Sequence, residues 1–338
     1  MHYNDEIYGP VLLTEPVLLE VMQSATMQRL QGVLQHGISG LIGITSPLTR
    51  FDHSLGTMLL VRRLGGSLLE QIAALLHDVS HTAFSHVIDY VFDSRVSQSY
   101  HDEKKEDYVA HTDIPATLAR HGYDWCEVVH EEHFPLLEQA APRLCADRLD
   151  YFLRDSKDLG LATAADIQGV LDHLVVKDGR IATNSLAAAR WMGYTYIQAD
   201  DTSWANFREV GIYELMARAI KIALQAGTIA LTDIWQTDRL VWHKLQASPH
   251  PDVQAALALI SPQTQFVWDE AHPTFRLRTK LRTIDPDVVV DGTLRPLSTL
   301  DANFARHRTA YLTRKQGVWP MRVIASTPTG EPSLVTGI

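Results

Sequence analysis

The sequence predicts a mainly α fold, with a helical body over residues 1–248 and a small α+β region over residues 249–338. Three observations predict it. Apolar residues in the first part recur at three- and four-residue steps, the period of one buried helix face. Residues 186–242 are rich in Ala, Leu, Ile and Met. After about Ser248 the pattern changes, and Phe275-Arg276-Leu277-Arg278-Thr279-Lys280-Leu281 alternates as a half-buried strand does.

Residues 1–16 form a short lead-in in which Gly9-Pro10 reads as a turn. Pro16 suits the first turn of a helix. Leu18, Val21, Met22, Ala25, Leu30, Val33 and Leu34 carry that helix toward Gly37, a left-handed stop. Residues 37–49, rich in Gly, Ser and Thr, read as a loop. A helix from about Ser54 ends at Gly65-Gly66, and the next, 68–77, turns Ile72, Leu75 and Leu76 to the core. Another follows His86 through Val87, Ile88 and Tyr90. Residues 95–107 are charged and read as an exposed segment, and helix resumes over 113–161 with breaks at Pro135 and Pro142. Val288-Val289-Val290 before Asp291-Gly292, and residues 321–325, are further strands.

The net charge of −10 argues against nucleic-acid binding over the whole surface, while leaving room for a local basic pocket. Cys126 and Cys145 form no Cys-x-x-Cys pair and read as reduced thiols. The N-terminus lacks a signal-peptide pattern, and no stretch approaches the ~20 apolar residues of a membrane span, so a cytoplasmic protein with no membrane partner is expected.

The chemistry concentrates between Thr49 and Tyr90. Taken singly, a histidine on an apolar helix is usually core or surface. Here four histidines fall within residues 53–86, three beside apolar runs that bury them, and burying titratable groups without a partner is costly. His53, His77, Asp78 and Asp147 are expected to hold one divalent metal. Two imidazoles and two carboxylates suit manganese, iron or zinc better than calcium, with magnesium or nickel as further candidates and no organic cofactor. Asp147, Tyr151 and Asp155 stand at i, i+4 and i+8 on one helix face. Asp150 and Arg154, at i, i+4 on another face, read as a surface salt bridge. His130-Glu131-Glu132-His133 has the wrong spacing for the two-histidine zinc helix and reads as a solvated face. The aromatic run from Trp191 to Trp204 reads as core, with some members available to wall a base pocket.

Three blocks carry a family resemblance: Met27-Gln28-Arg29-Leu30 with Gln35-His36-Gly37; Arg50-Phe51-Asp52-His53-Ser54-Leu55-Gly56; and residues 77–86 continued by 147–155. Together they resemble the HD-domain metal-dependent phosphohydrolases, whose pattern is His…His-Asp…Asp, and within them the deoxynucleoside triphosphate triphosphohydrolase branch. The resemblance covers about residues 5–160 and implies an HD-domain helical bundle. It implies the same four metal ligands, Arg50 on the phosphates, and His81 and His86 in proton transfer and phosphate contact, with Asp89 orienting one of them. Protonated His86 is the expected acid for the departing oxygen. His101 would be a further phosphate-side histidine, and Arg148 stands where the branch often has lysine. Tyr151 and Asp155 would contact the sugar, and Gln35 its 3′ hydroxyl. The implied reaction releases nucleoside and tripolyphosphate from a nucleotide substrate, and relatives imply a homo-oligomer. Two departures stand out. Ser80 replaces a common glycine, so a positive φ there would strain the aim of His81. His36 replaces a leucine that crowds the 2′ position, which weakens the expectation of deoxyribose selectivity. A nucleotidase acting on monophosphates or other phosphomonoesters, and a non-catalytic nucleotide sensor, are the alternative readings.

Overall fold

The computed structural model describes residues 1–326 and the strand at 332–334. Strands β1 (His2–Asp5) and β2 (Gly9–Leu12) form an antiparallel hairpin in which Pro10 pairs with Asn4. The turn therefore lies ahead of Gly9-Pro10, because Asp5 Oδ1 accepts the N–H groups of Ile7 (2.8 Å) and Tyr8 (3.0 Å). Helix α1 (Pro16–Gln23) starts on its proline. The continuous helix expected to reach Gly37 instead breaks at Ser24, whose extended backbone and side chain cap α2 (Ala25–Arg29). Gly37 opens α3 (Gly37–Leu41) rather than ending a helix. Its φ is +47°, and a Cβ there would lie 2.3 Å from the Phe84 carbonyl oxygen, so glycine serves a close approach between two loops.

Helix α4 (Arg50–Arg63) begins earlier than expected because Thr49 caps it, which places Arg50 and His53 in its first turns. It is buried along almost its whole length and packs against α5 (Leu68–Leu76), capped by Ser67. Short α6 (Val87–Val91) follows the site segment. The segment read as exposed holds helix α7 (Tyr100–Ala110), whose His101 and Lys105 turn inward at i, i+4 while the charged residues between them face solvent. Helices α8 (Ile114–Arg120) and α9 (Trp125–Val128) lead to α10 (Ala146–Asp158), which packs on α4, and then to α11 (Ala164–Leu171).

A hairpin unforeseen in the helical body follows, β3 (Leu174–Lys177) and β4 (Arg180–Thr183). Helix α12 (Leu186–Ala199) runs into a π turn at Asp200–Trp204, and α13 (Phe207–Gln225), α14 (Asp238–Gln246) and α15 (Pro251–Ala258) complete the helical layer. The strands β5 (Gln265–Trp268), β6 (Phe275–Leu277), β7 (Asp287–Val290) and β8 (Thr293–Pro296) follow, then α16 (Leu297–Leu300), α17 (Ala302–Lys315), β9 (Trp319–Ser326) and β10 (Pro332–Leu334). β9 pairs with β5, β6 and β10, while β7 joins the earlier hairpin through a parallel contact between Val288 and Thr183. Helix α17 packs on α12, so the C-terminal region leans on the helical layer through both sheet and helix. No helix among the described residues is long and apolar enough to cross a membrane.

Asp200 fastens the two regions. Its Oδ2 accepts the Arg282 backbone N–H at 2.9 Å and the Tyr311 hydroxyl at 2.8 Å, and its Oδ1 is buried without a partner. Burial pushes its pKa up to about 6, against the pull of Arg282. The folded protein thus holds this proton more tightly than the unfolded chain, where an aspartate titrates near ~3.9. That contribution to stability is fully present below pH ~4 and is lost as pH rises through about 6. Asp200→Asn keeps the two accepting contacts and cannot titrate. The unfolding free energy of the wild type relative to this variant is therefore expected to fall across that window, measured by urea unfolding at a series of pH values; a pH-independent difference would contradict it.

Candidate metal centre

Three separated elements bring the four candidate ligands close together: donor atoms of His53, His77 and Asp147 lie within 4.8 Å of one another, and Asp78 adjoins them in a second group with His81 and His101. His53 comes from the start of α4, fully buried, and Asp147 from the first turn of α10. His77 and Asp78 come from the end of α5, where His77 is the C-cap. Neighbours on a continuing helix diverge by ~100°, and the helix end here lets both reach inward. His53 Nε2 lies 2.9 Å from Asp147 Oδ1, 3.2 Å from His77 Nε2 and 3.7 Å from Asp78 Oδ2, and His77 Nε2 lies 3.4 Å from Asp147 Oδ1.

The donor set fits a cation. His77 Nδ1 faces the Ala74 carbonyl at 2.8 Å, which can only accept, and His53 Nδ1 faces Asp150 Oδ2 at 2.7 Å. Both Nδ1 atoms therefore carry hydrogens, which leaves both Nε2 lone pairs directed at each other and at two carboxylates. Burial alone would lower the His53 pKa, yet Asp147 and Asp150 raise it to about 10, so its surroundings favour positive charge. Burial opposes ionisation of Asp78, but Arg50, His77 and His81 hold its carboxyl well below the usual range.

The cage opens into a cavity of about 870 Å³. His81, His86 and His101 stand together on its wall. The His81 and His101 rings stack at 3.8 Å, and His81 Nε2 lies 3.2 Å from Asp78 Oδ1. His101, whose segment read as exposed, thus belongs to the site. Ser80 has no positive φ; the left-handed residues are Phe84 (φ 63°) and Ser85 (φ 50°), strain kept beside the site by Gly37 and by the Ser85 hydroxyl, which donates to the Leu34 carbonyl at 2.7 Å. Asp89 Oδ2 accepts from His86 Nδ1 at 3.0 Å, as Asp89 Oδ1 does from the Tyr100 N–H at 3.1 Å. Burial lowers the His86 pKa to about 4 against the pull of Asp89. Burial thus favours the neutral ring, with its hydrogen on Nδ1 toward Asp89 and a lone pair on Nε2.

Arg50 Nη1 donates to Asp78 Oδ2 at 2.7 Å and Nε to Ser85 Oγ at 3.0 Å, while Nη2 is buried without a partner. Arg148 also lines the cavity, but its Nη1 donates to the carbonyls of Gln139 (3.1 Å) and Arg143 (2.7 Å) and its Nη2 to Glu138 (3.4 Å), so it is less free than Arg50. Elsewhere on the wall the rings of Tyr151, Tyr196 and Trp204 cluster, and Gln35, His36, Asp155 and Tyr213 also line the cavity. His36 Nε2 meets Asp155 Oδ1 at 2.9 Å, and Trp204 Nε1 donates to Asp155 Oδ2 at 2.6 Å, so Asp155 orients two neighbours. Tyr151 bonds the Tyr196 hydroxyl, and Gln35 Oε1 is buried without a partner.

Several contributors were missed. The Asp150–Arg154 pair is a buried chain rather than a surface bridge: Arg154 donates to Asp150 Oδ2 (2.9 Å) and Asp5 Oδ2 (2.8 Å), and Tyr8 donates to Asp150 Oδ1 (2.8 Å). Its only sequence signal was the aspartate and tyrosine of the lead-in. Lys105, Lys280 and Arg282 line the cavity, and Glu131 of the His-Glu-Glu-His run pairs with Lys105 rather than helping to hold a metal. Gly56 on α4 lies beneath the buried chain, where a Cβ would fall 2.1 Å from both Arg154 Nη2 and Asp150 Oδ1. Gly56→Ala should cost about 2 kcal/mol or more in denaturant unfolding, since neither neighbour has room to yield; a change within ~0.5 kcal/mol would contradict this packing.

Residues 50–155 match the HD domain family. The chain is 41% identical over 292 residues to the uncharacterized protein YdhJ of Bacillus subtilis, covering 86% of this chain and 89% of that one. It is 38% identical over 318 residues to the metal-dependent phosphohydrolase cns2 of Cordyceps militaris, covering 91% of each. A shorter likeness, 33% over 105 residues, covers 27% of this chain and 17% of the deoxynucleoside triphosphate triphosphohydrolase SAMHD1 of Danio rerio. The crystal structure of a phosphohydrolase from Bacteroides thetaiotaomicron shares the fold at a TM-score of 0.62 with 18% identity, covering 89% of this chain and 94% of that one. With its ligand cage formed by the matched segment, the chain belongs to the HD-domain metal-dependent phosphohydrolases.

Proposed function

We propose that the protein hydrolyses nucleotides, most simply as a (deoxy)nucleoside triphosphate triphosphohydrolase that releases nucleoside and tripolyphosphate. The observation that carries this reading is the cavity beside the cage. One cluster on its lining is His81, His86 and His101, with Arg50 and its unpartnered Nη2 also on the wall; another is Tyr151, Tyr196 and Trp204, with polar Gln35 and His36 also on the wall. The first suits phosphate oxygens; the second suits a base and a sugar. The partial likeness to SAMHD1 supports the same substrate class.

His53, His77, Asp78 and Asp147 would hold one divalent ion, with manganese, iron or zinc favoured by the mixed nitrogen and oxygen set. Such an ion supplies acidity to water and positive charge against phosphate. The chain's own residues do the rest. Asp89 fixes the His86 tautomer, and the His86 Nε2 lone pair takes a proton from the attacking water. Arg50, aligned by Asp78 and Ser85, donates its free Nη2 to a phosphate oxygen. Gln35 Oε1 accepts from a sugar hydroxyl, and the His36–Asp155 pair meets the ribose beside it. Assembly as a homo-oligomer is proposed on the family resemblance, with light scattering as its check.

Product analysis decides the reaction. Metal-replete protein incubated with ribo- and deoxyribonucleotides of one, two or three phosphates should yield nucleoside plus tripolyphosphate; orthophosphate from monophosphates alone would replace this reading with a nucleotidase. His86→Gln should lower kcat by about 10²–10⁴-fold at unchanged metal content, and a loss below tenfold would remove His86 from proton transfer.

A further inference from the structure

Most cations on the cavity wall have an acidic partner. Lys105 pairs with Glu131 and lies 3.7 Å from Asp102, and Arg148 is 3.4 Å from Glu138. Lys280 and Arg282 differ. Both line the cavity and are half-buried, yet among the described residues neither has a carboxylate oxygen within 4.0 Å. Lys280 Nζ donates to the Ser97 carbonyl at 3.1 Å, and Arg282 Nη2 donates to Gln98 Oε1. One oxygen of the nearby Asp200 carboxylate accepts the Arg282 backbone N–H and the Tyr311 hydroxyl, and the guanidinium itself makes no ion pair with Asp200 within 4.0 Å. The fold thus anchors the backbone of this segment while leaving both side-chain charges without a contact ion pair on the cavity wall, an arrangement that an anion can complete.

We propose that Lys280 and Arg282 form a second anion subsite, taking the phosphates of a polyphosphate chain that extend beyond the one held at the metal cage. This rests on the reading of a nucleotide substrate with more than one phosphate and deepens it: the C-terminal segment supplies selection for chain length. Leu281 lies between them on the cavity wall, and Arg148 adds to the positive field. Burial, with Arg282 and Arg148 next in effect, lowers the Lys280 pKa to about 8, as expected for a cation held near others. Guanidinium and ammonium together suit an anion with several oxygens.

The test is calorimetric titration of the metal-loaded protein with inorganic tripolyphosphate and, separately, orthophosphate. The wild type should bind tripolyphosphate more tightly. Lys280→Gln with Arg282→Gln should weaken tripolyphosphate by at least about tenfold and weaken orthophosphate much less. Lys280→Arg with Arg282→Lys, which keeps both charges, should retain most of the affinity. Unchanged tripolyphosphate binding, equal weakening of both anions, or equal damage from the charge-retaining pair would overturn the subsite. Should the double variant fail to fold, Lys280→Gln alone carries the same comparison. Absence of nucleoside triphosphate turnover would sink the proposed reaction while leaving this binding result to decide the subsite by itself.

Discussion

Asp78→Ala is expected to abolish both metal binding and turnover. Asp78 is the candidate ligand tied to most neighbours: Oδ2 accepts from Arg50 at 2.7 Å, and Oδ1 lies 3.2 Å from His81 Nε2 and 3.6 Å from His77 Nε2. Alanine removes one of two anions from the cage and leaves the buried Arg50 without its carboxylate. A guanidinium then sits beside two imidazoles, and any cation entering the cage meets it as a like charge. Stranding one member of a buried pair costs about 3–5 kcal/mol, so Asp78→Asn provides the companion test. It keeps an acceptor for Arg50 and removes only the charge. Elemental analysis should find metal lost from both variants, with activity at background. Full metal content and full activity in Asp78→Asn would overturn the ligand assignment.

The second large effect is expected at Asp150, which is not itself among the four candidate ligands but holds one of them, His53, by its far ring nitrogen. It accepts from His53 Nδ1, Tyr8 and Arg154, and Arg154 is held from its other side by Asp5. Asp150→Ala leaves the imidazole without an acceptor and Arg154 with less than its full complement of charge, all in a region closed to water. Loss of about 3–5 kcal/mol in denaturant unfolding follows from the stranded charge. A 10–100-fold loss of metal affinity follows from the unfixed His53 ring. Asp150→Asn, which retains one acceptor, should suffer less on both counts. Stability within ~1 kcal/mol of wild type together with unchanged metal affinity would show that the chain neither supports the fold nor orients His53.

That His53, His77, Asp78 and Asp147 come close together was legible because the signal is local: a His-Asp pair after an apolar helix, with a histidine and an aspartate on neighbouring helices. What escaped depends on partners distant in sequence. An i, i+4 aspartate–arginine pair looks the same whether water or Asp5 covers it, and Asp5 lies 149 residues from Arg154. Residues 95–107 looked exposed because most of them are; His101 and Lys105 occupy the narrow face that composition averages away. The alternation from Phe275 correctly marked β6, but that strand ends at Leu277, and Lys280 and Arg282 lie on the unpaired stretch beyond it. The same averaging hid the early break at Ser24, where apolar spacing continues through a cap.

The buried Asp5–Arg154–Asp150–His53 chain also orders events in time. A ribosome that has released α4 and α5 has already exposed His53, His77 and Asp78, but Asp147, Asp150 and Arg154 follow only with α10. Until then the emerging chain lacks the fourth candidate ligand and the acceptor that fixes the His53 ring. The β1–β2 hairpin, far ahead of α10 in the chain, must wait for Arg154 before its Asp5 gains a charged partner. Such long-range closure is characteristic of slow, late steps in folding. A cation site made of these four residues would therefore form only once α10 has emerged and closed on α4 and α5.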